Sequence, residues 1–169
     1  MTVTNPVGAA PSEVPGAARQ RVRLTPRLRA VLAAVPAADS VADIGAGGGQ
    51  VALALRERGL EVIATELTEA GHALLPPELD RRCGDGLQGL VPGEVEGAVL
   101  AGLGGHSIIR ILTRSPAVVA SLAWLVLQPQ QHSEALEQWL SDANYRVEQR
   151  SGVMERGRSY TVLRARPPA

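Results

Sequence analysis

Four short apolar runs, Val41–Ile44, Leu60–Ala64, Ala98–Ala101 and Leu122–Leu127, recur along the chain and are separated by helical or loop stretches. Runs of this length between polar segments read as strands buried on both faces, and their alternation with helices is the βαβ rhythm of a parallel sheet. The first run extends back to Ser40 and is followed by a predicted helix from Gln50 to Arg58. Ahead of it, Thr25 can cap a helix that has Pro26 at its first position. Leu28, Val31, Leu32 and Val35 then form one apolar stripe up to Pro36, so this helix is expected to cover the sheet edge. Two closing strands, near Tyr145–Gln149 and Tyr160–Ala165, are expected to pair antiparallel. The fold class is therefore α/β, a Rossmann-like doubly wound sheet that is mostly parallel and ends in an antiparallel hairpin. No internal repeat or coiled-coil heptad interrupts this plan.

Met1 to Ala18 is rich in Pro, Gly, Ala and Thr without apolar periodicity, which predicts a disordered leader ahead of a single domain over residues 19–169. Cys83 is the only cysteine, so no internal disulfide can form, and no Cys or His cluster has metal-ligand spacing. No apolar run approaches a membrane span and no signal-peptide layout opens the chain, so a cytoplasmic protein without membrane or metal partners is expected. The formal net charge is zero, but the charges are sorted. Val14 to Ala38 carries Arg19, Arg21, Arg23, Arg27 and Arg29 with no acid, Asp39 to Leu100 holds eleven acids against four arginines, and the tail from Arg146 is basic again. Basic stretches around a neutral body suit a phosphate backbone. Every basic residue is Arg, however, so biased composition explains the same pattern. Oligomeric state is not legible.

The segment most suggestive of chemistry is Asp43-Ile44-Gly45-Ala46-Gly47-Gly48-Gly49, a strand-to-helix loop almost free of side chains. It lies at a strand's carboxyl end, where open α/β sheets bind nucleotides. Glu66 ends the next apolar run and can accept hydrogen bonds from both hydroxyls of a ribose. A dinucleotide fingerprint would need glycine at position 50, where Gln50 stands. A carboxylate just before the first glycine suits the amino group of S-adenosylmethionine, and the overall plan resembles the methyltransferases that use that donor.

Leu24-Thr25-Pro26-Arg27-Leu28, Val41-Ala42-Asp43-Ile44-Gly45, Cys83-Gly84-Asp85-Gly86-Leu87, Leu100-Ala101-Gly102-Leu103-Gly104-Gly105 and Leu125-Val126-Leu127-Gln128-Pro129 stand in the order found in one family. Over roughly Arg23 to Arg164 the chain resembles the bacterial tRNA (adenine-N1)-methyltransferases that modify adenine 22. The resemblance implies a class I methyltransferase fold, S-adenosylmethionine as cofactor, tRNA as partner and methylation of an adenine ring nitrogen. It assigns Asp43, Gly45, Ala46 and Gly47 to the methionine moiety, Glu66 to the ribose, and Asp85 with Gly86 to the adenine. Arg27 would pair with the donor carboxylate, and Ala101 and Gly102 would pass closest to the sulfonium. Gln128 is the candidate for reading the target base. His106 would contact substrate or open a helix, while His72 and His132 read as surface residues, and Trp124 and Trp139 as core.

The departures matter as much. The family typically reads Asp-Ile-Gly-Ser-Asp-His in the opening loop, where this chain has Ala46, Gly47 and Gly48. The stretch between Glu66 and Asp85 is shorter than usual, with Pro76-Pro77 breaking whatever helix begins at Thr68. Gln130 replaces the usual Asn, and the C-terminal helical extension is expected to be absent. Two alternatives therefore stand beside the tRNA reading: a methyltransferase for a small-molecule or protein acceptor, and a catalytically degenerate protein that still binds the donor.

Overall fold

The computed structural model describes residues 23–168, so the predicted leader, Arg19 and Arg21 lie outside the described residues. Helix α1, Pro26–Ala34, begins as its sequence requires: Pro26 fills the first turn and the Thr25 hydroxyl accepts from the Leu28 amide at 3.4 Å. The remaining elements follow as β1 Ser40–Ile44, α2 Gln50–Glu57, β2 Glu61–Glu66, α3 Glu69–Leu74, β3 Asp80–Cys83, β4 Gly97–Leu103, α4 Gly105–Arg114, α5 Pro116–Ser121, β5 Trp124–Pro129, α6 Ser133–Asp142, β6 Arg146–Glu155 and β7 Arg158–Arg166. A 3-10 turn at Gly86–Gly89 joins β3 to the stretch before β4.

The strands form one seven-stranded sheet in the order β3-β2-β1-β4-β5-β7-β6. The first five are mutually parallel, whereas β7 runs antiparallel to both β5 and β6. Strand order reverses between β1 and β4, and the crevice at that switch point is where open α/β sheets receive ligands. The period of two along each strand builds two cores. Val41, Val62, Val99 and Val126 face α1 and α2, while Ala42, Leu100, Leu125 and Leu127 face α4, α5 and α6.

Trp124, at the start of β5, lies so close to Gly97 that a Cβ added there would stand 2.1 Å from its indole. Only glycine allows that contact. Trp139 packs beside Tyr145 with ring centroids 5.2 Å apart, so both tryptophans belong to the packing, as their spacing implies. Helix α1 lies against β6 and β7 and so covers the antiparallel edge. Between β2 and β3 the crossover is short: α3 has six residues, capped by the Thr68 hydroxyl at Gly71 and stopped before Pro76. Among the described residues no helix is long and apolar enough to cross a membrane.

Candidate active site

The loop after β1 is shaped by alternating left-handed residues. Gly45, Gly47 and Gly49 have φ of 67°, 58° and 72°, a conformation that side-chain-bearing residues rarely adopt. The Gly45 and Ala46 amides both donate to the Thr65 carbonyl at 3.0 Å, which fastens the loop to β2. Glu66 closes the same corner, its carboxylate accepting from the Gly47 amide. A Cβ at Gly49 would stand 2.6 Å from Cδ of Pro76, so the shortened crossover presses on the loop's end. At Gly47 and Gly48 the same construction meets open space.

Beneath this loop Asp43 is buried, 3% exposed, with Oδ2 accepting from the Ala52 amide at 3.1 Å. Burial pushes its carboxyl up to about 7; the Ala52 hydrogen bond opposes this, and the charge of Glu66 adds to it. A buried acid with so little compensation is prepared to receive a cation or a strong donor.

The opposite wall comes from β4 and β5. Their register shifts between Ala101 and Leu103, and Gly102, at φ 76°, turns its backbone into the crevice. Arg27, Asp43, Gly45, Ala46, Gly47, Ala101 and Gly102 line one cleft there, joined by Gly48, Gln50 and Gln130. Most of the predicted cofactor residues are thus gathered in one place, and Glu66 adjoins them through Gly47.

Gln128 requires a correction. It is fully buried, its Oε1 accepts from Arg27 Nη1 at 2.6 Å and from the Gly102 amide at 3.1 Å, and its Nε2 donates to the Pro129 carbonyl at 2.8 Å. An amide so engaged holds the wall in place and does not present an edge to an incoming base. Arg27 is committed in the same way: its guanidinium lies 3.5 Å from Glu155 and above the Tyr160 ring, and its amide donates to Glu155 at 3.1 Å. Sequence alone offered one clue, since Gln128 continues the Trp124–Val126 alternation toward α1. The residue that does reach the cleft is Gln130, exposed, with its amide nitrogen beside Gly102.

Two other predicted cofactor positions take contacts of their own, and His106 stands at a helix start, one of its two expected roles. Asp85 is ion-paired with Arg114 at 2.9 Å and is not among the cleft-lining residues. Gly86 is buried at φ 63°, and a Cβ there would stand 2.7 Å from Ile111, so its glycine serves packing against α4. His106 lies in the first turn of α4 without a capping hydrogen bond. It stacks on His132, at a centroid distance of 4.4 Å. His132 is exposed, as its reading as a surface residue expects, and it holds a left-handed conformation at the start of α6. Among the described residues no group of three or more potential metal ligands is gathered.

A glycine loop over a buried acid, facing a backbone bulge at the switch point, can seat a small ligand carrying an amino group and a positive centre. Residues 24–163 match the family described as methyltransferase domain. The chain belongs to that family. The methyltransferase domain is 27% identical over 153 residues to a tRNA (adenine(22)-N(1))-methyltransferase of Bacillus subtilis strain 168, a match spanning 84% of this chain and 64% of the relative's length. The crystal structure of the B. subtilis M1A22 tRNA methyltransferase TrmK superposes with a TM-score of 0.74 at 27% identity, over 87% of this chain and 68% of that one. Sp1610 of Streptococcus pneumoniae in complex with S-adenosyl-L-methionine superposes with a TM-score of 0.76 at 26% identity, over 86% and 73%. The sheet order, with its two closing antiparallel strands, is that of a class I methyltransferase fold.

Proposed function

We propose that this chain is a single-domain, cytoplasmic S-adenosylmethionine-dependent methyltransferase that modifies a ring nitrogen of adenine in tRNA. The observation that carries the donor assignment is the cradle over Asp43: left-handed glycines leave its roof free of side chains, and the under-compensated carboxyl beneath fits the donor's ammonium. The acceptor class is supported by the similarity to tRNA methyltransferases, whose full length this chain does not span.

The donor, when bound, supplies an electrophilic methyl group whose bond to sulfur breaks as the lone pair of the ring nitrogen forms the new bond. An adenine ring nitrogen with a free lone pair carries no proton to remove, so the chain need not supply a general base there. Its task is alignment, which can contribute about 7–11 kcal/mol in favourable cases. Glu66 stands at the carboxyl end of β2, able to hold the ribose hydroxyls, and Gly102 brings backbone toward the reacting centre. The Gln128–Arg27 pair keeps that backbone from moving, while Gln130 stands where it can meet the acceptor.

Incubation with labelled donor and unmodified tRNA transcript is expected to give 1-methyladenine, and complete absence of label across tRNA species and salt concentrations would overturn the acceptor. The open space over Gly47 and Gly48 favours one second reading, a protein that binds the donor without turnover. Donor binding measured by calorimetry, without transfer to RNA, protein or small-molecule acceptors, would support it.

A further inference from the structure

The β6–β7 ribbon outruns the sheet it belongs to. Pairing of β7 with β5 ends at Leu127–Leu163, but β6 and β7 stay paired as far as Glu155–Arg158. That overhang is about 16 Å of strand. It extends from the carboxyl end of β5, the same end at which the cleft opens. Glu155 fastens the ribbon to the cleft wall by accepting from the Arg27 amide, and Arg27 itself lines the cleft. The carboxyl of Glu155 is held below its ordinary range by the Thr25 hydroxyl and by Arg27, so it is occupied.

At the tip, Arg156 and Gly157 have φ of 50° and 76°, the pair of left-handed residues that makes a type I′ turn. The first position of such a turn suits Asn, Asp or Gly, and an arginine there costs roughly 1 kcal/mol in backbone strain. Nothing local repays it. Arg156 and Arg158 are exposed, and neither makes a salt bridge or a side-chain hydrogen bond among the described residues. Among the other described arginines, Arg82 is engaged with Asp80 and Glu94, Arg150 with Glu137, and Arg164 and Arg166 with Glu148, whereas Arg110 on α4 and Arg146 at the start of β6 are exposed and unpaired like the tip but lie away from the ribbon's overhang. Arg23, also exposed, is brought to the cleft's rim by its carbonyl, which accepts from the side chain of the cleft-lining Gln50.

We propose that the Arg156-Gly157-Arg158 tip, with Arg23 beside the cleft, is a phosphate-gripping rim that holds RNA backbone next to the target base. This rests on the tRNA reading above and adds the surface by which the domain takes hold of its substrate. Guanidinium forks bind phosphate oxygens in pairs and carry no sequence information, so the rim positions the strand and leaves recognition of the base to the cleft. It also accounts for a strained arginine where glycine would be easier.

The test uses the full chain, an unmodified tRNA transcript and equilibrium binding over a series of salt concentrations. Two double variants are compared with the wild type: Arg156→Gly with Arg158→Ala, and Arg156→Lys with Arg158→Lys. The first is expected to bind tRNA about tenfold more weakly and to lower the slope of log affinity against log salt by about two. It should keep its S-adenosylhomocysteine affinity, and its thermal midpoint should not fall, because glycine relieves the turn. The lysine pair should retain the slope. Unchanged tRNA affinity and slope in the glycine–alanine variant, or a lysine variant that fails equally, would overturn the rim. A wild-type chain that neither binds nor methylates tRNA would remove the tRNA reading and the rim together. Wild-type methylation with indifferent variants sinks the rim alone.

Discussion

The two walls of the cleft are made from different materials. The β1–β2 side is backbone: three left-handed glycines, amides donating to Thr65 and Glu66, and one buried acid beneath. The β4–β5 side is held by side chains from distant parts of the chain, with Gln128 joining Gly102 to Arg27 and Arg27 reaching Glu155. A backbone wall is specified locally and is sensitive to any added Cβ. A side-chain wall depends on partners brought together by the whole fold and is sensitive to truncation.

The largest effect should come from Asp43. Its folded carboxyl titrates near 7 against 3.8 in the unfolded chain, so between those values the native state holds a proton that the unfolded state has released. The contribution of this group is therefore fully present below about pH 4 and is lost as pH rises through 7, a change on the order of 4 kcal/mol. Asp43→Asn should flatten that part of the stability curve, as followed by denaturant unfolding from pH 4 to 8. The same substitution should weaken S-adenosylhomocysteine binding, while wild-type binding below pH 7 should release a proton, detectable by calorimetry in buffers of different ionisation heat.

Gln128→Ala tests the other wall. It leaves the Gly102 amide and the Arg27 guanidinium without their acceptor, and should cost about 2–3 kcal/mol in denaturant unfolding. Gly49→Ala should cost about 2 kcal/mol, since it adds a clash with Pro76 to left-handed strain. Gly48→Ser, one position away, meets open space and should leave stability within about 0.5 kcal/mol. If positions 48 and 49 behaved alike, the account of the loop as a wall defined by Pro76 on one side and open space on the other would fail.

The same contrast explains what could be read from the sequence. Strands β1, β2, β4 and β5 are buried on both faces and announce themselves as apolar runs, whereas β3, Asp-Arg-Arg-Cys at the sheet's edge, has no such pattern. The glycine loop, Asp43 and Glu66 were legible because their chemistry lies in short spacings along the chain. Gln128 stands just past the predicted run, which ends at Leu127, and was given the wrong task, because β5 continues to Pro129 and the partners Arg27 and Gly102 lie 101 and 26 positions away. Asp85 and Gly86 fit a local motif, but their contacts with Arg114 and Ile111, both on α4, come from too far along the chain for that motif to show. The interest of the hairpin tip comes from the overhang and from φ at Arg156, neither of which the sequence shows.

The packing of Trp124 against Gly97 has a practical consequence. Trp124 opens β5 at the amino-terminal end of the strand, and Trp139 lies beside Tyr145, just ahead of β6, so both indoles are remote from the cleft at the strands' other end. Their emission should register loss of the fold while staying constant as a ligand enters. Fluorescence-detected melting would then read ligand-induced stabilisation free of quenching by the ligand itself.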